Sequence, residues 1–369
     1  MDKRCVATGL SHGHRPRPEH AAKAVQQALM RAGLERANAV LLFLTAEYAH
    51  DPGPALRAAA RVAGCVQVIG ASGVGILTDE EWVLDSPGAA AMVFGGPVRL
   101  ALPAGRKIGD EACVLSFCTP SGLTADRLDI PAARLGAVSG DLNGHGPFRV
   151  WRGARADDEG WVEAVLEGAD AAVVASQGVR ALTSPIEIAE ARGYDLLRLG
   201  NYPALNVLVQ SLPPPMRAVE RLPLHLIMGG VTFGDPATAI REGRYRLNHI
   251  VAADPRAQSL TLSNPLSRGD RLFWAMRDAL AAERDMRRTI DTAQTALPGA
   301  PDFALLFPCM SRGPQFFGHR DRDLDLLHAR FPGLPIVGFY GNGEIAPLDG
   351  ANHLYQYSAA LGLFRIRAA

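Results

Sequence analysis

The chain has 369 residues, 48% of them hydrophobic and 21% charged, with 38 Lys+Arg balanced by 38 Asp+Glu. This length calls for two domains, and a net charge of zero leaves no basic footprint for nucleic acid or an anionic membrane. Five scattered cysteines (Cys5, Cys65, Cys113, Cys118, Cys309) without CxxC spacing exclude a disulfide framework and a zinc knuckle. No apolar stretch is long enough to cross a bilayer, and the start, MDKRCVATGLSHGHRP, lacks the apolar core of a secretory signal. The expectation is a cytoplasmic protein with reduced thiols.

Arg17–Gly33 places alanines and a leucine at helical spacing and stops at a glycine, which predicts a helix with a left-handed C-terminal stop. Asn38–Tyr48 is apolar throughout its middle and predicts a strand covered on both faces. After the break at DPGP, ALRAAARVAG predicts a second helix ending at Gly64. VQVIGASGVGIL (Val66–Leu77) predicts a second buried strand that runs into a glycine turn. Further strands are predicted in Ala89–Gly96, Arg134–Leu142 and Gly168–Val179. Ser211–Met216, SLPPPM, reads as a polyproline-type loop. Tyr245–Leu266 alternates and turns at Asp254-Pro255, as an antiparallel hairpin does. Asp278–Leu297 predicts a long amphipathic helix capped by Asp278, with Leu280, Met286, Ile290, Ala293 and Leu297 on its buried face.

The C-terminal end repeats the order of the N-terminal end. Asp302–Gly313 predicts a strand, Arg320–Gly333 a helix, and Leu334–Ile345 a strand with a glycine turn. Gly70, Gly73 and Gly75 fall where Gly338, Gly341 and Gly343 fall, so G-x-x-G-x-G occurs twice. Strand, helix and strand at this length make a βαβ unit. The fold expected is α/β with mixed α+β features. It has two related halves, each a central mixed sheet with helices, containing repeated βαβ units that end in glycine-rich turns.

Several separated motifs then resemble the FIST family (expanded here as F-box and intracellular signal transduction). They are Gly70–Leu77, Ser176-Gln177-Gly178-Val179-Arg180, Arg277-Asp278, the strand end Phe307, Cys309, Arg312 and Gly313, and the turn Gly338–Pro347. The resemblance covers nearly the whole chain. It implies a FIST N-terminal-like domain over residues 1–199 and a FIST C-terminal-like domain over residues 200–369. It further implies a bacterial sensory module for small molecules such as amino acids, which, with no output domain attached, would signal through a separate partner or simply bind its ligand. Some relatives of this family are haem-binding nitric oxide sensors. Ile76 stands where the first turn of the family has Glu, so only the second turn keeps its acid, as Glu344; Gly341 and Asn342 replace bulkier family residues.

Strand ends of open α/β sheets face a crevice where ligands bind, and glycines there admit backbone N–H groups close to an anion. The two turns are therefore expected to form walls of one pocket. Ser72 and Gly73 would lie on one side, with Tyr340, Gly341, Asn342 and Glu344 on the other. Asn143, Ser176, Gln177, Arg180, Cys309 and Arg312 would line the rest. Glu344 would accept from an ammonium and Arg312 would clamp a carboxylate with two bonds. The alternative is structural: glycines that only make turns, and a Glu344–Arg312 ion pair. Cys309 with His319 and Glu344 is the nucleophile set of an enzyme reading. However, the sequence has no P-loop, HExxH, nucleophile elbow or Rossmann spacing, so no catalytic residue is assigned. No metal ligand set is assigned and no cofactor is expected; haem is the alternative, without a histidine among His12, His14, His225 and His249 that stands out as its ligand.

Overall fold

In the computed structural model, which describes residues 5–103, 108–109, 112–217 and 224–367, every residue of the apolar run Ala39–Thr45 is buried. A strand without polar alternation needs cover on both faces, and the chain builds that surrounding in three repeats. Repeat 1 runs β1 (Val6–His12), α1 (Pro18–Ala32), β2 (Ala39–Thr45), α2 (Gly53–Ala63), β3 (Val68–Gly73), the hairpin β4 (Gly75–Thr78) and β5 (Trp82–Val83), then β6 (Gly88–Phe94). β2 and β3 pair in parallel across α2, β6 returns antiparallel to β2, and β1 pairs with β6. Gly33 and Gly64 end the two helices in the left-handed conformation that the sequence predicts.

Repeat 2 has β7 (Arg99–Ala101), β8 (Cys113–Cys118), the one-turn α3 (Ala125–Leu128), β9 (Ala133–Val138), the hairpin β10 (Val150–Arg152) and β11 (Arg155–Ala156), then β12 (Trp161–Glu167). Again β8 and β9 are parallel, and β12 lies antiparallel between β8 and β7. Repeat 3 opens with β13 (Ala169–Ser176).

There the chain departs into a second compact unit, residues 177–285. Its strands are β14 (Val179–Ala181), β15 (Ile186–Arg192), β16 (Asp195–Leu199), β17 (Tyr202–Pro203), β18 (Ile227–Thr232), β19 (Tyr245–Asp254), β20 (Ser259–Leu262) and β21 (Arg271–Arg277). Pairing runs from β21 through β15, β16, β20, β19 and β18 and back to β21, an antiparallel barrel closed on itself. Closure removes the free edges of that ring. α4 (Ala204–Ser211) contributes Ala204, Leu205 and Leu208 to the same apolar cluster as Trp274, Leu260 and Leu262. The predicted hairpin is present as β19 and β20. The predicted polyproline loop is not what forms: Pro214 and Pro215 start the one-turn α5 (Pro214–Arg217), where a missing N–H costs no helical bond. α6 (Pro236–Glu242) has Asp235 as its N-cap.

The division between the units falls at Asp285 and Met286, inside α7 (Ala279–Ala296). Asp278 accepts from Ala281 N at 2.8 Å, the predicted cap. Met286, Ile290, Ala293 and Leu297 are buried as predicted, whereas Leu280 is 71% exposed. Repeat 3 then resumes with β22 (Phe303–Pro308), α8 (Arg322–Arg330), β23 (Ile336–Tyr340), the hairpin β24 (Glu344–Leu348) and β25 (Ala351–Tyr355), and β26 (Ala359–Ile366). β22 and β23 are parallel and β26 is antiparallel to β22. The α/β class and both predicted βαβ units are therefore present, and β8–α3–β9 is a third that the sequence comparison does not reveal.

Each repeat also lends its hairpin to another repeat's sheet. The three sheets are β1-β6-β2-β3-β10-β11, β7-β12-β8-β9-β24-β25 and β13-β26-β22-β23-β4-β5. Their inner faces meet at Phe43, Phe117 and Phe307, which hold the same position in β2, β8 and β22. The ring centroids form a near-equilateral triangle of 5.3, 5.6 and 5.5 Å. Phe339 enters from β23, 5.0 Å from Phe43. The outer face of the first sheet is covered by the alanines of α1 and α2, and that of the third by α8 and the part of α7 from Met286 onward. Gly70, Gly136 and Gly338 are equivalent as well. A Cβ on any of them would strike the carbonyl oxygen of Leu42, Ser116 or Leu306 respectively, so the parallel strands require glycine there.

Candidate functional site

Strand register aligns the three repeats residue by residue, and this comparison within one molecule isolates what repeat 3 alone contains. Thr45 ends β2, Thr119 follows β8 and Cys309 follows β22. Opposite them in the returning strand stand Gly88 and Gly160, and in repeat 3 Ser358. The hairpin position facing Ala71, Ala137 or Phe339 is Val150, Glu344 and Ile76 in turn. Ile76 and Val150 are fully buried in the central apolar cluster. Repeat 3 thus exchanges Thr, Gly and an aliphatic residue for Cys309, Ser358 and Glu344.

Glu344 is fully buried. Ser358 Oγ donates to Glu344 Oε2 at 2.5 Å, while Oε1 has no hydrogen-bond partner. Burial pushes this carboxyl up from 4.5 to about 8. The bonds from the Ser358 side chain and backbone, the charge of Arg312 and the side-chain bond from Cys309 oppose that rise only in part. At neutral pH it is therefore mostly the uncharged acid. Cys309 is 4% exposed, and its N donates to Ser358 O at 2.8 Å. The turn beside Glu344 is stitched to repeat 2: Asn342 N donates to Val138 O at 2.9 Å and Val138 N to Gly343 O at 2.8 Å. On the far side of that seam Ser72 Oγ and Ser139 Oγ lie 2.9 Å apart.

A second buried polar group surrounds Arg312, which is 1% exposed. Its Nε and Nη2 grip Asp323 at 2.8 and 3.0 Å, and Nη1 and Nη2 donate to Ser176 O and Oγ at 2.9 and 2.7 Å. Asp321 caps α8 through Leu324 N at 2.9 Å and accepts from the Tyr340 hydroxyl. Burial, followed by the neighbouring Asp323 charge, raises Asp321 from 3.8 to about 6. Burial also holds the Tyr340 hydroxyl well above its ordinary value.

The residues expected to share a pocket are accordingly distributed. Cys309 and Glu344 come together. Arg312 pairs with Asp323, neither with Glu344 nor free for a ligand, and Tyr340 turns to Asp321. The two glycine turns meet each other directly: Val74 N donates to Tyr340 O at 3.0 Å, and a Cβ on Gly73 would reach that same oxygen at 3.0 Å. A Cβ on Gly341 would meet the Ala137 Cβ and Val138 O, each at 2.9 Å. The close backbone approach that the glycines permit is between repeats. Asn342 is exposed, and so is Asn143, whose N bonds Asp141 Oδ1 at 3.1 Å. Ser176 belongs to the first unit; Gln177 and Arg180 belong to the second, where Gln177 Nε2 donates to Tyr245 O at 2.8 Å and Arg180 pairs with Asp278 at 3.5 Å.

Sequence reasoning missed Ser358, Ser139, Asp321 and Asp323. Asp321 carried a signal, since an Asp ahead of an apolar-periodic stretch marks a helix start; Ser358 becomes visible only through register. Among the described residues no group of three His, Cys, Asp or Glu could hold a metal ion. His12 pairs with Glu81 at 3.2 Å, His14 and His319 are exposed, and the His225 side chain lies outside the described residues. No described helix is long and apolar enough to cross a membrane.

Residues 204–347 match the FIST C domain, a sensory domain of signal transduction. The F-box expansion of the family name is incorrect. The match straddles both compact units, and a FIST N-terminal domain over residues 1–199 rests on the motifs alone. An uncharacterized protein of Mycobacterium bovis is 32% identical over 255 residues, covering 67% of this chain and 65% of that one. One of Mycobacterium tuberculosis is 29% identical over 252 residues, covering 67% and 66%. The chain thus spans just under two thirds of these relatives' lengths. A cyanuric acid hydrolase from A. caulinodans is 15% identical over 44% of this chain and 71% of that one, with a TM-score of 0.22. That superposition is too loose to carry an argument.

Proposed function

We propose that this chain, matched by the FIST C domain over residues 204–347, is a small-molecule-binding sensory protein whose recognition group is Glu344 with Cys309 and Ser358. The observation that carries this reading is the carboxyl placed where the two sister repeats have Ile76 and Val150, with Oε1 left unpartnered. An orphaned buried oxygen costs roughly 1–3 kcal/mol. An amine donor, such as the amino group of an amino acid, would satisfy it: a ligand entering as the free amine takes the acid's proton, and one entering as the ammonium displaces that proton to solvent, each leaving an ammonium paired with a carboxylate. A ligand reaching Oε1 would part the turn Gly341–Gly343 from Val138, opening one seam between repeats. That displacement is the signal a separate partner would read. Arg312 is held by Asp323, so it is not assigned to a ligand carboxylate.

A thermal-shift screen of the twenty amino acids and simple amines tests this, because a ligand that binds only the native state raises its melting temperature. Glu344→Ile, the residue of repeat 1, should fold and weaken binding of the identified amine by roughly 10- to 150-fold, the worth of one charged bond. Full-strength binding by the variant, or no shift with any compound, would overturn the reading. An absorbance spectrum recorded beside the screen distinguishes haem, whose Soret band would replace it.

A further inference from the structure

The segment between β1 and α1 forms a groove of about 480 Å³ lined by Gly13, His14, Arg15, Arg17, His20 and Lys23, together with Glu19. The loop is pinned rather than loose. The largely buried Tyr48 hydroxyl accepts from Arg17 N at 3.1 Å and donates to Arg17 O at 2.9 Å. His20 Nδ1 lies 3.0 Å from Ser11 Oγ, and its ring also bonds the Arg15 backbone. A Cβ on Gly13 would stand 3.0 Å from His20 Nε2, so the turn closes tightly over the imidazole.

Charge is unbalanced there in a chain whose net charge is zero. Arg31, Arg127, Arg134, Arg152 and Arg244 all face carboxylates. Arg15, Arg17 and Lys23 make no ion pair among the described residues, and Glu19 is the one carboxylate in the lining. Fixed backbone, three unpaired cations within nine residues and a cavity in the size range of ligand sites are what a multiply charged anion needs, since charge-assisted bonds to phosphate are the strong ones. We propose that this groove binds a phosphate-bearing metabolite of up to nucleotide size, at a site separate from Glu344.

Calorimetric titration of the full chain with pyrophosphate and with ATP tests the proposal. Saturable binding is expected, weakening as salt is raised. The triple variant Arg15→Ala, Arg17→Ala, Lys23→Ala alters only exposed side chains, so its melting temperature should match the parent while affinity falls about 10-fold or more. A second triple variant, Arg36→Ala, Arg57→Ala, Arg61→Ala, removes the same charge outside the groove and should bind as the parent does. No saturable binding at millimolar pyrophosphate and ATP, or an equal loss in both triple variants, would overturn the site.

Discussion

Replacing Glu344 by Gln keeps the shape and an oxygen for Ser358 but removes the titration, and its effect on stability should depend steeply on pH. The folded value of about 8 lies above the ordinary 4.5, so the native state holds a proton that the unfolded chain releases. The stabilisation from that proton is fully present below about pH 4.5 and is lost as pH rises to about 8. One proton corresponds to about 1.4 kcal/mol per pH unit. Between about pH 5 and pH 7.5, the parent should therefore lose about 3 kcal/mol that Glu344→Gln does not. Asp321 titrates in both proteins, so the difference between the two curves isolates Glu344. Urea unfolding followed by tryptophan fluorescence at the two pH values measures it. Infrared spectroscopy at neutral pH should show a protonated-carboxyl band that the variant loses. Parallel pH profiles with no such band would refute the buried neutral acid, and with it the orphaned oxygen on which ligand recognition rests.

Arg312→Met should cost about 3–5 kcal/mol by stranding Asp323, seen as a lower denaturation midpoint. A variant as stable as the parent would return Arg312 to the ligand-binding set. Gly338→Ala should lower stability by about 3 kcal/mol or more through collision with the Leu306 carbonyl, and Gly70→Ala and Gly136→Ala should do the same at their own strand pairs. Near-parental melting of any of the three would mean that the parallel strands can separate to admit a methyl group.

Much of this architecture was legible because it is local. Apolar runs, alanine-rich helices and their glycine stops lie within single stretches, and the two G-x-x-G-x-G turns mark two of the three βαβ units. The third was hidden because α3 is one turn long and β9 runs on into Ser139-Gly140-Asp141 rather than into a glycine turn. The barrel was hidden because closure is a pairing between β18 and β21, which no local pattern records. Glu344 and Cys309 could be singled out from the turn and the strand end. Their partner Ser358 could not, since it reaches them only through the antiparallel register of β26. Arg312 misled for the same reason: its carboxylate stands eleven residues on, in a helix whose first turn shows only capping chemistry.

The exchange of hairpins among the sheets has a consequence for how the first unit comes apart. In a linear array of repeats the outermost members each lack a neighbour, and they open first unless capped. Here β4 completes the sheet of repeat 3, β10 that of repeat 1 and β24 that of repeat 2, so dependence runs in a circle without a first or last member. Undoing any seam strips ladder bonds from two repeats together. Local opening of a whole repeat has no inexpensive starting point, and amide protons in β3, β9 and β23 should exchange with solvent as one cooperative set.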